Sequence, residues 1–176
     1  MSTMRFKINE IGAEGLPVNV TVTPDWVAAA CPDLDARPVA PGLSLRGRLE
    51  KTGDDFLLRA DLRGALETSC ARCLEPACVS LSLPLAVTFV PADEGDEDDE
   101  DPDLVTFQGG EIDVGDEIRD EILLAIPINP LCQESCRGLC LVCGGNRNLV
   151  ACSCKTEPAP TGRLAALGKI KLSPQQ

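Results

Sequence analysis

Between residues 43 and 89 hydrophobic side chains recur at every second position, the period of a strand with one buried face. The longest run is Val79, Leu81, Leu83, Leu85, Val87 and Phe89, six consecutive matches. Phe56, Leu58, Ala60 and Leu62, extended by Leu66, form a second run, and Leu43, Leu45 and Leu49 a weaker one. Together they predict long antiparallel strands. Pro84 interrupts the best run, which predicts an edge strand or a bulge there, because proline has no N–H to give to a ladder. Leu104 to Phe107 reads as a further short strand.

Two segments carry a helical pattern instead. In "TPDWVAAAC", Thr23 is placed to cap a short helix from about Pro24 to Ala30, with proline at its first position and Trp26 or Val27 facing the sheet. In "DVGDEIRDEILLAIP", Ile118, Ile122 and Ile126 recur at four-residue intervals flanked by Leu123, and Pro127 ends the pattern. The spacing predicts an amphipathic helix over 115–126. Its Asp116, Glu117, Asp120 and Glu121 lie in the first half, where the helix dipole favours anions, and read as a solvated face over a buried stripe. No internal repeat is visible in the sequence.

The formal charge of −12 is unevenly spread. Nine of the eleven residues from Asp93 to Asp103 are acidic, which leaves 19 acidic against 16 basic residues in the rest of the chain. Like charges packed so densely cannot fold on themselves, so 92–103 is expected to be a disordered loop. Basic residues occur in modest groups: Arg46, Arg48 and Lys51 with Arg59 and Arg63, then Arg137 with Arg147, and Arg163, Lys169 and Lys171 near the end. Of these, Arg46, Arg48, Lys51, Arg163, Lys169 and Lys171 are the candidates for contact with a polyanion or a partner.

Composition narrows the chemistry. There is no histidine and no tyrosine, and aromatic residues make up 3% of the chain. The usual general base, the Ser/His and Cys/His nucleophile pairs and every mixed Cys/His metal site are therefore excluded, and base stacking is not an expected binding mode. No isolated carboxylate pair stands out, so no enzymatic activity is expected. The charged start "MSTMRFKINE" and the lack of any apolar run approaching about 20 residues lead to the expectation of a cytoplasmic protein with no membrane segment.

In a reducing compartment ten cysteines read as metal ligands or core residues rather than disulfides. Six of them fall between Cys132 and Cys154 in the order C-x3-C-x3-C-x2-C-x8-C-x-C. The two-residue gap between Cys140 and Cys143 lets both sulfurs face one ion, with Gly144 and Gly145 supplying backbone freedom. Cys140, Cys143, Cys152 and Cys154 are the first-choice set for a tetrahedral Zn2+. Cys132 and Cys136 could replace one pair, or all six could join Cys70 and Cys73 of "CARC", between two predicted strands, as two sites of four thiolates. One zinc is expected, or two if Cys70 and Cys73 participate. The competing reading of "CARC" is a hairpin tip with two partly buried thiols. Cys31 and Cys78 have no spaced partner and read as small core residues. A redox pair lacks its βαβ context here, and an iron–sulfur cluster remains a second option for four thiolates.

The stretch "DEIRDEILLAIPINPLCQESCRGLCLVCGGNRNLVACSC", with "CARCL" before it and "GRLAALGKI" after it, resembles the bacterial and plastid YceD family, the large ribosomal RNA subunit accumulation proteins. The resemblance is specific from about Asp116 to Cys154, and the first 50 residues share only its general character. It implies a role in accumulation or processing of large-subunit (23S) ribosomal RNA during ribosome assembly, without catalysis. It also implies a structural metal knot, since some members lack the C-terminal cysteines.

The resulting expectation is an α+β protein: an antiparallel β-rich domain over 1–127, a small barrel or sandwich with few short helices, followed by a cysteine-rich zinc module over 128–155 and a tail with a short helix over 156–176. Its partner would be large-subunit rRNA, or a ribosomal protein or assembly factor. The alternative is a thiol-based metal or redox sensor, which mild oxidation would strip of metal, whereas a structural site would keep it.

Overall fold

The computed structural model describes residues 4–92 and 104–154. The acidic loop beyond Ala92 and the C-terminal tail, with its expected short helix, lie outside these residues.

The alternating runs form the centre of a mixed sheet. Strands β1 (Arg5–Lys7) and β2 (Leu16–Val22) precede helix α1 (Pro24–Ala30), and β3 (Ala36–Pro38), β4 (Leu43–Thr52), β5 (Asp55–Ser69) and β6 (Pro76–Pro91) follow. After the acidic segment come β7 (Leu104–Phe107), β8 (Glu111–Asp113) and helix α2 (Gly115–Ala125). The large sheet runs β2-β4-β5-β6-β7, with β3 also paired to β5, and β1 and β8 make a separate two-stranded ribbon. The sheet path is open, ending at β2 and β7.

Leu43, Leu45, Leu49, Leu58, Leu62, Leu66 and Phe89 are fully buried on the inner face. Val27 of α1, Ile112 of β8, and Ile118 and Ile122 of α2 join them in one core. Of the two α1 candidates, Val27 is the buried one and Trp26 is half-buried. Thr23 caps α1 as expected, its Oγ1 accepting from the Trp26 N–H at 3.3 Å. On α2 Ile118 and Ile122 are buried, Ile126 is half-buried at the C-cap just past the end of the helix, and Leu123 is exposed, because the buried stripe needs only every fourth residue.

β5 and β6 form a hairpin of fourteen residue pairs, from Phe56↔Phe89 to Ser69↔Pro76, about 45 Å long at the usual rise. β4 stops opposite Arg63, so the distal part of the hairpin extends past it, flanked only by β3 at residues 66–68. β7 pairs with β6 only at Thr88–Pro91 and runs parallel to it, a departure from the all-antiparallel expectation. Pro84 therefore sits where β6 has β5 as its one neighbour, the edge position its missing N–H predicts.

Candidate functional site

The tip of the β5–β6 hairpin is the turn from Cys70 to Glu75. The Cys70 N–H donates to the Glu75 carbonyl at 2.8 Å and the Leu74 N–H to the Cys70 carbonyl at 3.0 Å. Leu74 closes the turn in the left-handed region, at φ 63°. The second C-x2-C repeats this design. There the Cys140 N–H donates to Gly145 at 2.8 Å, the Gly144 N–H to Cys140 at 2.8 Å, and Gly144 has φ 70°. The chain thus contains two knuckles of one geometry, a repeat that two-residue spacing alone did not make visible.

The chain after α2 comes back to the hairpin tip and is stitched to it. The Ala71 N–H donates to the Pro130 carbonyl at 2.8 Å, the Leu139 N–H to the Arg72 carbonyl at 2.9 Å, and Arg72 Nη1 to the Cys136 carbonyl at 3.0 Å. Gly138 lies so close to Arg72 that a Cβ there would stand 3.0 Å from its carbonyl oxygen.

These contacts sort eight cysteines into two groups, Cys70 with Cys73, Cys132 and Cys136, and Cys140 with Cys143, Cys152 and Cys154. Within each group the sulfurs lie within 4.8 Å of one another. In the first, Cys70 and Cys136 are 3.8 Å apart and Cys73 and Cys132 3.6 Å apart. A tetrahedral ion with metal–sulfur bonds of about 2.3 Å sets its sulfurs about 3.8 Å from each other, so the observed spacing fits such an ion and is far too long for disulfides. The first-choice set of the sequence is thus one group, and its four alternates form the other. Cys70 and Cys73 are buried, not the partly buried thiols of a bare hairpin tip. Cys31 is buried as expected, but Cys78 is exposed: in β6 it falls on the outward parity, one residue from buried Ala77.

The electrostatics of both groups favour a cation. Burial would raise the Cys70 thiol, but backbone N–H groups of Cys132, Arg72 and Cys73 bring it down to about 6. Backbone N–H groups of Cys143 and Val142, with the Cys152 thiol, hold Cys140 at about 6. In each group another thiol moves the opposite way. Cys132 is pushed up to about 12 by burial and the neighbouring sulfurs, and Cys154 to about 12 by Cys143 first and then burial. Four sulfurs at this range cannot all ionise without a compensating charge, which a divalent ion supplies. Cys136 is lowered against its own burial by Asn148, whose Nδ2 lies 3.3 Å from its sulfur. Asn148 also accepts from the Arg137 N–H at 2.8 Å, and Asn146 Oδ1 accepts from both the N–H and Nδ2 of Asn148. These two asparagines tie the loop of the second group to a ligand of the first. Sequence reading missed them, although "NRN" beside a cysteine knot is the signal that amide donors to the cysteine sulfurs would leave.

The basic candidates divide by the parity of the pleat. Arg46 and Arg48 on β4 lie on the solvent face with Arg59 and Arg63 on β5, Arg48 standing directly opposite Arg59 and Arg46 opposite Asp61. Asp61 bonds Arg63 at 3.4 Å. Lys51 is not part of this group. It has the parity of buried Leu45 and Leu49 and lies over the Phe56 ring, 5.8 Å from its centre. Arg137 and Arg147 belong to the cysteine module, and Arg163, Lys169 and Lys171 lie outside the described residues. Among the described residues no helix is long and apolar enough to cross a membrane.

Residues 58–171 match the family described as Large ribosomal RNA subunit accumulation protein YceD. A chloroplastic protein of Zea mays named large ribosomal RNA subunit accumulation protein YCED homolog 1 is 31% identical over 139 residues, 62% of this chain and 45% of that protein. Its namesake in Arabidopsis thaliana is 39% identical over 66 residues, 38% of this chain and 20% of that protein. An uncharacterised protein of Mycobacterium tuberculosis is 30% identical over 103 residues, 58% and 50% of the two chains. The chain thus spans half the length of these relatives or less. No solved structure matches. The family match takes in nearly all of the β5–β6 hairpin, both knuckles and all eight clustered cysteines, and this chain belongs to the YceD family of large ribosomal RNA subunit accumulation proteins.

Proposed function

We propose that this chain is a non-enzymatic factor of large-subunit ribosome assembly, promoting accumulation or processing of 23S rRNA in the cytoplasm, and that its cysteines hold two structural Zn2+ ions. The observation that carries the functional part is the family match over 58–171. The two plant relatives bear the same description in their names.

The zinc reading rests on donor type and spacing. Both groups offer thiolates alone, at separations suited to a tetrahedral ion. Bound there, zinc supplies cross-linking rather than reactivity. Cys70 and Cys73 on the hairpin would share one ion with Cys132 and Cys136, fixing the C-terminal segment to the tip. Cys140, Cys143, Cys152 and Cys154 would hold the other and close the segment on itself. Burial of Cys70, Cys73 and Cys136 supports a structural role over the thiol-sensor alternative, because an oxidant must reach a sulfur to act on it.

Phosphate contact would fall to the solvent face of β4 and β5, where Arg46, Arg48, Arg59 and Arg63 stand together, interleaved with Glu50, Asp55, Asp61 and Glu67, with Arg163, Lys169 and Lys171 as further candidates. Depleting the protein tests the function. Large-subunit rRNA should fall, or its precursors persist, while small-subunit rRNA is much less affected. Normal levels of both, in cold as well as at optimal growth, would refute the proposal.

A further inference from the structure

The two cysteine groups differ in what can reach them. Cys70, Cys73 and Cys136 are buried, which leaves Cys132 as the one open member of the first group. In the second group only Cys140 is buried, while Cys143 is exposed and Cys152 and Cys154 are at least partly open to solvent. The burial that shields the first group from an oxidant is missing in the second. We propose that the second group is an oxidation site, where a peroxide joins Cys143 to Cys152 or Cys154 as a disulfide and frees the metal, while the first group stays reduced. The metal released belongs to the two-site zinc reading, whereas the disulfide rests on the placement of the sulfurs alone.

Reach and backbone freedom agree. All four sulfurs of the second group lie within 4.8 Å of one another, so Cys143 has its disulfide partners close by. Cys152 and Cys154 stand on residues 151–154, which make no backbone–backbone hydrogen bond among the described residues. The last such bond before them joins the Val150 N–H to the Asn146 carbonyl at 3.0 Å. A sulfur carried on that segment closes on Cys143 without breaking a backbone hydrogen bond. The first group is held differently. Cys73 and Cys132, 3.6 Å apart, lie at a junction fixed by the Ala71 N–H on the Pro130 carbonyl at 2.8 Å and the Leu139 N–H on the Arg72 carbonyl at 2.9 Å. An oxidant that reaches Cys132 finds its closest partner sulfur buried in a fixed turn.

The chemistry is a two-electron exchange. The Cys143 thiolate attacks one peroxide oxygen and the O–O bond breaks, leaving Cys143 as a sulfenic acid while the departing oxygen takes a proton from solvent and leaves as water. The Cys152 or Cys154 thiolate then attacks that sulfur, forming the S–S bond and expelling the sulfenic oxygen, with a second solvent proton, as another water. Two sulfurs are oxidised and both peroxide oxygens are reduced. Two thiolates remain where a tetrahedral ion needs four, so the metal leaves. A thiol reductant reverses the bond. Because the second group closes the segment only on itself, its oxidation opens residues 140–154 and leaves the hairpin junction in place.

The test uses the zinc-loaded full chain carrying Cys78→Ser, which removes the exposed thiol outside the two groups. Hydrogen peroxide is added in increments, released zinc is read with a chromophoric chelator, and peptides are mapped without reduction. Trypsin cuts after Arg137, Arg147 and Lys155, which places Cys140 and Cys143 in one peptide and Cys152 and Cys154 in the next. The expected result is loss of one zinc equivalent of two, with a disulfide joining those two peptides through Cys143, while Cys70, Cys73, Cys132 and Cys136 stay reduced. Dithiothreitol with added zinc should then restore the lost equivalent. Release of both equivalents together, a first disulfide of any other pairing, or no disulfide at a peroxide concentration that oxidises Cys78 in the unsubstituted chain would overturn the proposal. A chain that takes up no zinc fails the metal reading instead, and the peptide map still decides the oxidation site.

Discussion

Gly47 shows how little room the sheet leaves between its central strands. It stands opposite Ala60 on β5, and a Cβ at this position would come within 2.1 Å of the Arg59 carbonyl oxygen and 2.4 Å of the Ala60 Cα. Backbone cannot yield as a flexible side chain can. Gly47→Ala should therefore lower stability by about 1–3 kcal/mol, measured by denaturant unfolding, with no change in metal content. Loss below about 0.5 kcal/mol would mean that β4 shifts freely against β5. The two unclustered cysteines differ in the opposite sense. Burial pushes the Cys31 thiol up, while Cys78 lies exposed on β6. Alkylation of the native, metal-loaded protein followed by peptide mapping should label Cys78 well before Cys31. Equal rates would place Cys31 in reach of solvent.

At the scale of elements, the two knuckles share a geometry but differ in what they join. The first group spans 59 and 66 residues through its closest sulfur pairs, the second only the segment from Cys140 to Cys154. Cys143→Ser should remove one metal equivalent and leave the hairpin-to-module contacts in place. Cys73→Ser should remove one equivalent and also release the module, seen as faster amide exchange at Ala71 and Leu139, whose N–H groups bond across that junction. If both variants release it, the second site is part of the clip. This asymmetry also explains what was legible beforehand. The period-two runs placed β4, β5 and β6 because one face of each is buried, and the spacing from Cys140 to Cys154 placed the second group because its ligands are local. The partnership of Cys70 and Cys73 with Cys132 and Cys136 remained one arrangement among several, since only the return of the chain past α2 closes it. β1, β3 and β8 are three residues each, too short to show a period. Val18, Val20 and Val22 did carry the alternation of β2. The parallel pairing of β7 has no local signature at all, and grouping Lys51 with Arg46 and Arg48 overlooked that odd and even positions on β4 face opposite ways.

For the whole molecule, the separation of the two packed regions decides how it should come apart. The main core, from Val18 and Leu43 to Phe89 and Ile122, is built of aliphatic and aromatic side chains and contains none of the eight clustered cysteines. The second cluster of buried residues is only Cys70, Cys73, Ala77 and Cys136, with Leu131 and Leu139 partly buried against it. So small a cluster contributes little apolar burial, and besides the junction hydrogen bonds the segment has two groups of four thiols that could hold a metal ion, so we expect metal to stabilise it. Chelation should therefore expose all eight thiols to reagent and free residues 128–154 to protease, while the β-sheet circular dichroism and the principal melting transition change little. Acid should act as chelator does, because thiols must lose their protons to bind metal, so occupancy falls as pH falls. Phe89→Ala should do the reverse of chelation, lowering the stability of the sheet by about 3–5 kcal/mol without altering metal stoichiometry in the protein that remains folded. If chelation instead collapses the sheet in a single transition with the module, the hairpin tip is a keystone of the β-domain, and the division into a self-sufficient core and a metal-held module is wrong.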